Sequence, residues 1–298
     1  MDINKEIAYK ASDADRMIYR VLPAEKGYQK TVFQAMNYSV LAGGKRIRPI
    51  LMLETYKLFG GSNKAIESFV AAIEMIHTYS LVHDDLPAMD DDELRRGKLT
   101  THAKFGEAMG VLAGDGLLNY AFEVALDTLD ETKGVDNSAV IRSLKVLAKK
   151  AGIYGMIGGQ VVDVEAEKQY GISKNRLDFI YGLKTGALIE AAMMIGAILG
   201  GATDEEVGQI EEVAKKIGLA FQIQDDVLDV IGETETIGKS VGSDEKNQKA
   251  TYVVFEGLEK AKQEVADLTD DAIAILQELP YENPFLTELL RWMVLRDK

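Results

Sequence analysis

Six carboxylates fall within ten residues, at Asp84, Asp85, Asp90, Asp91, Asp92 and Glu93, and Arg95 and Arg96 follow at once. Hard oxygen donors at this density suit Mg²⁺, which takes one or two protein carboxylates and completes its shell with water and substrate phosphates. Arginine supplies the complement, because its planar fork meets phosphate oxygens two at a time. A solvated acidic loop is the commoner meaning of such a run. Here, however, the first two acids close an apolar helix, whose negative dipole end disfavours uncompensated carboxylates. Asp84 and Asp90 are six apart, roughly 240° around a continuous helix, so they share an ion only if the chain turns, and Pro87 between them predicts that turn. A second cluster, FQIQDDVLD at 221–229, spaces Gln222, Asp225 and Asp229 three and four apart along one side of a helix. Val207, Ile210, Ala214, Ile217, Phe221 and Leu228 take the neighbouring apolar stripe. Asp84 and Asp225 lie 141 residues apart, and the expectation is that these two acidic corners face each other across a cavity and hold metal between them.

Two basic features complete the set. Gly43-Gly44 precedes Lys45, Arg46 and Arg48 at the entry to a helix, where free backbone N–H groups favour an anion; a basic surface turn is equally compatible. His77 lies seven residues before Asp84, about 10 Å away at the helical rise. That is too far to share an ion, and a core or interface histidine is the ordinary reading.

The elements that must position these groups read as helices throughout. We expect them at 3–21, 28–42, 49–59, 63–86, 107–130, 137–151, 154–170, 173–199, 204–231, 251–265 and 284–296, with stops at Pro23, Gly43-Gly44, Gly60-Gly61, Pro87, Gly171, Gly200-Gly201 and Gly232. Thr203 and Glu206 have capping-box spacing, and Pro49 suits a first helical turn. No repeat or low-complexity linker interrupts the chain, so one all-α domain over 1–298 is expected: a large bundle of roughly ten or more helices around a central cavity. The stretch 233–250, rich in Gly, Ser, Asp and Lys, reads as a lid loop.

Composition narrows the function. A net charge of −14 argues against nucleic acid as a partner. The absence of cysteine removes disulfide and thiolate chemistry. The N-terminal MDINKEIAYKASDADR has no apolar core of a secretion signal, which predicts a cytoplasmic protein. Ala191–Thr203 is too short for a membrane span, so no stable membrane insertion is expected.

HDDLPAMDDDELRRG at 83–97 and FQIQDDVLD at 221–229 resemble the first and second aspartate-rich motifs of the trans-isoprenyl diphosphate synthases. GGKRIRP at 43–49, GGQVVD at 158–163, KTGALIE at 184–190 and GKSVGSDEKNQKATY at 238–252 resemble further blocks of that family, in its order. A lone DDxxD is weak evidence; six blocks in register are strong. The resemblance implies that Lys45, Arg48, His77 and Arg96 bind the diphosphate of isopentenyl diphosphate. It implies that Arg95, Lys184, Thr185, Gln222, Lys239 and Lys249 face an allylic diphosphate held through Mg²⁺ on Asp84, Asp90 and Asp225. Asp85, Asp226 and Asp229 would orient the ions from behind, and Gln160 and Asp163 would support the same wall or serve structure alone. Where many relatives have proline after the KATY block this chain has Val253, which leaves the start of the next helix, and with it Lys249, less firmly placed.

The implied reaction ionises the allylic diphosphate, lets the double bond of isopentenyl diphosphate attack the cation, and loses a proton; no protein base stands near the motifs, and the resemblance implies that the released pyrophosphate accepts it. Asp84, Asp90, Asp225, Lys184 and Arg95 would carry the catalysis. Tyr79 and Ser80, about one turn before Asp84, would line the apolar pocket and set product length. An aromatic there, with Pro87-Ala88 expanding the first motif, resembles the bacterial farnesyl type; a geranylgeranyl synthase is the alternative. A class I terpene cyclase has no use for Lys45, Arg48 and Arg96, and a phosphohydrolase needs more than His77, His83 and His102. A non-catalytic partner subunit would have lost an aspartate motif. Helices 107–130 and 137–151, apolar on one side and free of motifs, suit a homodimer, which the family typically forms.

Overall fold

The computed structural model describes residues 2–131, 136–167, 172–231 and 251–295. Contacts divide the chain into two compact units, Met1–Leu53 with Ser62–Leu144, and Glu54–Gly61 with Lys145–Lys298. Both are built from helices, and the fold is all-α as expected.

The first unit contains α1 (Ile3–Val21), α2 (Lys30–Leu41), the first part of α3 (Ile47–Leu58), α4 (Ala65–Asp84), a hairpin of β1 (Leu94–Arg95) and β2 (Lys98–Leu99), α5 (Thr101–Phe105), α6 (Glu107–Leu126), α7 (Thr128–Glu131) and the start of α8 (Asn137–Ala151). Its centre is α4. Phe69, Ile73, Met75 and Ile76 are fully buried there, each contributing roughly 1.5–3 kcal/mol by leaving water. A helix apolar on nearly every side must be enclosed, and α4 packs against α1, α2 and α6.

The second unit comprises the end of α3, the end of α8, α9 (Met156–Glu167), α10 (Lys174–Ile180), a π-helical segment (Tyr181–Gly186), α11 (Ala187–Gly200), α12 (Asp204–Ile231), α13 (Tyr252–Glu256), α14 (Leu258–Glu278) and α15 (Pro284–Val294). Here α12 is central, against α11, α14 and the π segment. The capping box forms as expected: Glu206 N donates to Thr203 Oγ1 at 3.3 Å, and Thr203 N donates to Glu206 Oε2 at 2.7 Å.

Among the described residues two helices, Ala65–Asp84 and Lys174–Gly200, are long and apolar enough to cross a membrane, but 72% of the apolar 18-residue stretch in each is buried within the protein. Their apolar surface is therefore occupied by the core.

Several elements differ from the expectation. The helix expected at 107–130 ends at Leu126 and resumes at Thr128. The one expected at 173–199 is continuous only through the π segment. The one expected at 251–265 breaks at Gly257, whose φ of +81° lies outside the helical region, and α14 then runs on to Glu278. The periodic signal for α14 was present in Ala261, Val265, Thr269, Ala272 and Leu276, all buried at spacings of three and four. The hairpin and α5 fall in the interval between the helices expected at 63–86 and 107–130.

Candidate active site

In the first unit the chain turns as Pro87 predicts. Met89 N donates to Leu86 O at 2.8 Å and Asp90 N donates to Asp84 O at 2.9 Å, returning Asp90 onto the end of α4. Asp84 is half-buried and Asp90 exposed, whereas Asp85 between them is 3% exposed. Asp85 Oδ1 accepts from Arg95 Nε at 2.7 Å and lies 2.6 Å from Arg95 Nη2, with Asp92 Oδ2 3.6 Å from the same guanidinium. Burial raises the Asp85 carboxyl against the pull of Arg95. Burial also works against the Arg95 charge, but the Asp85 carboxylate outweighs it and holds the guanidinium protonated.

Arg95 sits on the hairpin, which pairs Leu94 with Leu99 and Arg95 with Lys98. Its two-residue loop is Arg96-Gly97, with φ of +53° and +73°, the positive-φ pair that matches the twist of antiparallel strands. Thr100 Oγ1 donates to Asp92 O at 2.8 Å, and His102 Nε2 lies 2.9 Å from the same carbonyl, anchoring the hairpin's base. Arg96 Nη1 donates to the carbonyl of Gly43.

Arg48 and His77 meet, with Arg48 Nη1 3.4 Å from His77 Nε2. Burial, reinforced by Arg48, Arg96, Arg46 and Arg95, pulls the His77 imidazole well below its ordinary range, so the ring is neutral and accepts from Arg48. Burial also lowers Arg48 and Arg96, with Glu74 opposing in both, Arg96 adding to the lowering of Arg48, and Arg46 and Arg95 adding to that of Arg96. Arg48 Nε is buried without a partner among the described residues. Several cationic groups thus crowd one partly desolvated place, an arrangement that an anion relieves. Lys45 is exposed beside them.

Tyr79 is 5% exposed, and its hydroxyl has no hydrogen-bond partner among the described residues. Burial, reinforced by Asp84, pushes the phenol up to about 12. The ring meets His83 edge-on at 5.7 Å, and His83 packs at the helix end, Nε2 lying 3.1 Å from Val111 O. Ser80 Oγ donates back to His77 O at 2.9 Å.

In the second unit, α12 presents Gln222, Asp225 and Asp229, all partly exposed, on the shared side that their spacing predicts. Asp226 is 7% exposed. Its Oδ2 accepts from Tyr181 Oη and from Tyr252 N, each at 2.6 Å. The carboxylate thereby ties α12 to the first residue of the π segment and to the first residue of α13. Thr251 caps α13 from its own side chain, which Val254 N reaches at 3.3 Å, so that helix starts cleanly at Tyr252 despite Val253.

The π segment carries Lys184 and Thr185, and Lys184 Nζ donates to Asp163 Oδ2 at 2.5 Å. Single π turns inside helices concentrate at functional positions. Two glycines make this one accessible. A Cβ at Gly159 would run into the backbone of Lys184, and one at Gly218 would come within 3.0 Å of Gly186 Cα. Gln160 is half-buried on the same helix as Asp163. Lys239, Lys249 and the lid expected at 233–250 lie outside the described residues.

Among the described residues no three acids or histidines converge at ligand spacing. The acids available are carboxylates alone, Asp84 and Asp90 on one turn and Asp225 on α12. Within each unit these carboxylates are hard oxygen donors of the kind that suits Mg²⁺, which needs few protein ligands.

Residues 29–279 match the polyprenyl synthetase family model. The chain belongs to that family. It is 44% identical over 264 residues to a farnesyl diphosphate synthase of Geobacillus stearothermophilus, covering 89% of this chain and 88% of that protein. It is also 44% identical over 247 residues to a geranylgeranyl diphosphate synthase of Cyanophora paradoxa, covering 83% and 81%. Among solved structures, a geranylgeranyl pyrophosphate synthetase from Pyrococcus horikoshii superposes with a TM-score of 0.89 at 31% identity, over 99% of this chain and 98% of that one. The protein is thus a prenyltransferase of isoprenoid biosynthesis. The motifs of this synthetase assign no role to Tyr181, to the Tyr252 amide or to Arg46, although Arg46 stands within the basic turn. For Asp163, the lysine it holds was legible only as a member of a separate block.

Proposed function

We propose that this polyprenyl synthetase condenses isopentenyl diphosphate with dimethylallyl and then geranyl diphosphate, giving farnesyl diphosphate. The observation that carries the reading is the turn after α4: it returns Asp90 to Asp84 while the hairpin beside it presents Arg95 and Arg96. Lys45, Arg48, His77 and Arg96 would bind the isopentenyl diphosphate. Neutral His77 would accept from Arg48 and leave the positive charge to the arginines and lysine. Arg95, Lys184, Thr185 and Gln222 would hold the allylic diphosphate. Magnesium on Asp84, Asp90 and Asp225 would neutralise the departing pyrophosphate. Asp85 and Asp226, buried and fully engaged, would position their neighbours, and Asp229 would orient the ion through water. The two compact units would act as one catalytic domain. The Gln222 amide and the carbonyls near Lys184 would stabilise the developing cation.

Product length would be set at Tyr79 and Ser80. The test is incubation with isopentenyl diphosphate, each allylic diphosphate in turn and Mg²⁺, followed by chromatography of the prenyl chain. A C15 product supports the reading, and a C20 product shifts it to the geranylgeranyl alternative. A cyclised hydrocarbon or no condensation refutes it. Tyr79→Met should lengthen the product; an unchanged chain places the floor elsewhere. A homodimer is the assembly we expect, since α6 exposes Val111, Leu112 and Leu126 and α8 exposes Ile141. Light scattering checks it.

A further inference from the structure

Arg46 stands between Lys45 and Arg48 in sequence, yet its side chain goes the other way. It is 3% exposed. Nε donates to Asp15 Oδ1 at 2.8 Å, Nη1 to Glu74 Oε1 at 2.6 Å and Nη2 to Val40 O at 2.7 Å. Every guanidinium nitrogen is engaged. Burial works against the charge, and Glu74 and Asp15 outweigh it, so the guanidinium stays protonated. At 3% exposure the group is closed to a substrate.

The backbone at Arg46 does a second job. Its carbonyl accepts from Ile50 N at 3.0 Å, the first hydrogen bond of α3, so Arg46 is the residue at which the loop ends and the helix begins. Its φ is +50°, following Gly43 at +89° and Gly44 at +147°. A left-handed arginine persists only where its surroundings over-determine it, and here three side-chain bonds supply that determination. Their anchors come from α1 (Asp15), α2 (Val40) and α4 (Glu74). Glu74 is also one turn before His77 on α4, so the same carboxylate that seats Arg46 fixes the register of α3 against the helix that carries His77.

We infer that Arg46 is the positioning residue of the isopentenyl diphosphate subsite: its ion pairs with Glu74 and Asp15 lock the left-handed turn that aims Lys45, Arg48 and the first amides of α3 at one anion. This rests on the assignment of Lys45, Arg48 and His77 to isopentenyl diphosphate made above. Lysine cannot replace Arg46, because a single ammonium cannot reach three acceptors set in a fork.

The experiment is steady-state kinetics on Arg46→Lys and Asp15→Asn in the full chain, each substrate varied at saturation of the other, with folding checked by circular dichroism and thermal melting. For Arg46→Lys the expected result is a rise of roughly tenfold or more in KM for isopentenyl diphosphate, with KM for the allylic diphosphate and kcat within about twofold, since displacement of a positioned group by 1 Å is costly. Asp15, whose side chain is 29% exposed, should give a smaller rise in the same constant alone. A folded Arg46→Lys protein with unchanged KM for isopentenyl diphosphate, or with both KM values raised equally, overturns the inference. If Arg46→Lys does not fold, Asp15→Asn decides by the same criteria. Absence of condensation by the unaltered protein would refute the functional assignment instead, so the two failures are distinguishable.

Discussion

The two aspartate motifs solve the same problem with different chemistry. Each begins with adjacent acids, Asp84-Asp85 on α4 and Asp225-Asp226 on α12, and in each the first stays partly exposed while the second is buried. In the first motif the buried acid is met by charge, the Arg95 guanidinium. In the second it is met by neutral donors, a tyrosine hydroxyl and a backbone amide. The difference follows from what each must hold. Asp85 orients a cation that the proposed reaction needs at the surface. Asp226 instead fastens segments of backbone, the π turn and the start of α13, where a mobile counter-ion would be of no use. Helical geometry forces the split, because neighbours in sequence lie 100° apart and cannot both face the same way.

The sharpest way to break this comparison is to exchange the roles. Asp84→Asn and Asp225→Asn should lower kcat by about 10²–10³-fold, with unfolding free energy within about 1 kcal/mol of the unaltered protein. A larger kinetic loss in Asp85→Asn or Asp226→Asn would reverse the assignment of exposed and buried partners. Stability should rank the other way. Asp85→Ala leaves a partly buried guanidinium with only the longer 3.6 Å pair to Asp92 and should cost about 3 kcal/mol in urea unfolding, at the low end because the Arg95 side chain is 32% exposed. Asp226→Ala strands two neutral donors and should cost about 2 kcal/mol; a cost above that of Asp85→Ala would contradict the charged-against-neutral distinction.

The same distinction locates acid sensitivity in the first region. His77 is held below its ordinary value in the folded state, so the unfolded chain takes up that proton first. The contribution is present above about pH 6.5 and is lost as pH falls from there toward the folded value, by at most about 1.4 kcal/mol per pH unit. His77→Gln should flatten the fall in unfolding free energy between pH 7 and pH 5. An unchanged slope would assign the acid sensitivity elsewhere.

Much of the site could be read in one dimension because its signals are local. The turn after α4 follows from Pro87, the Thr203–Glu206 cap from its spacing, and the shared side of Gln222, Asp225 and Asp229 from helical periodicity. The π segment was not legible: Tyr181–Gly186 falls inside the single helix expected at 173–199, and only the approach of α9 and α12, permitted by Gly159 and Gly218, marks it out. The break at Gly257 was missed because a single glycine inside a periodic run is usually tolerated.

The sequence by itself determined the inventory: an all-helical chain, two acidic motifs, a basic turn and the family to which they belong. Tertiary structure decided how identical residue types divide their work. Arg46 is sealed by Asp15 and Glu74, 31 and 28 residues away, while Arg48 two positions later turns to His77. Asp226 is claimed by Tyr181 from 45 residues away. Local pattern sets which way a side chain leaves its helix, but whether it meets water, a counter-charge or a neutral donor depends on segments that only folding brings alongside it.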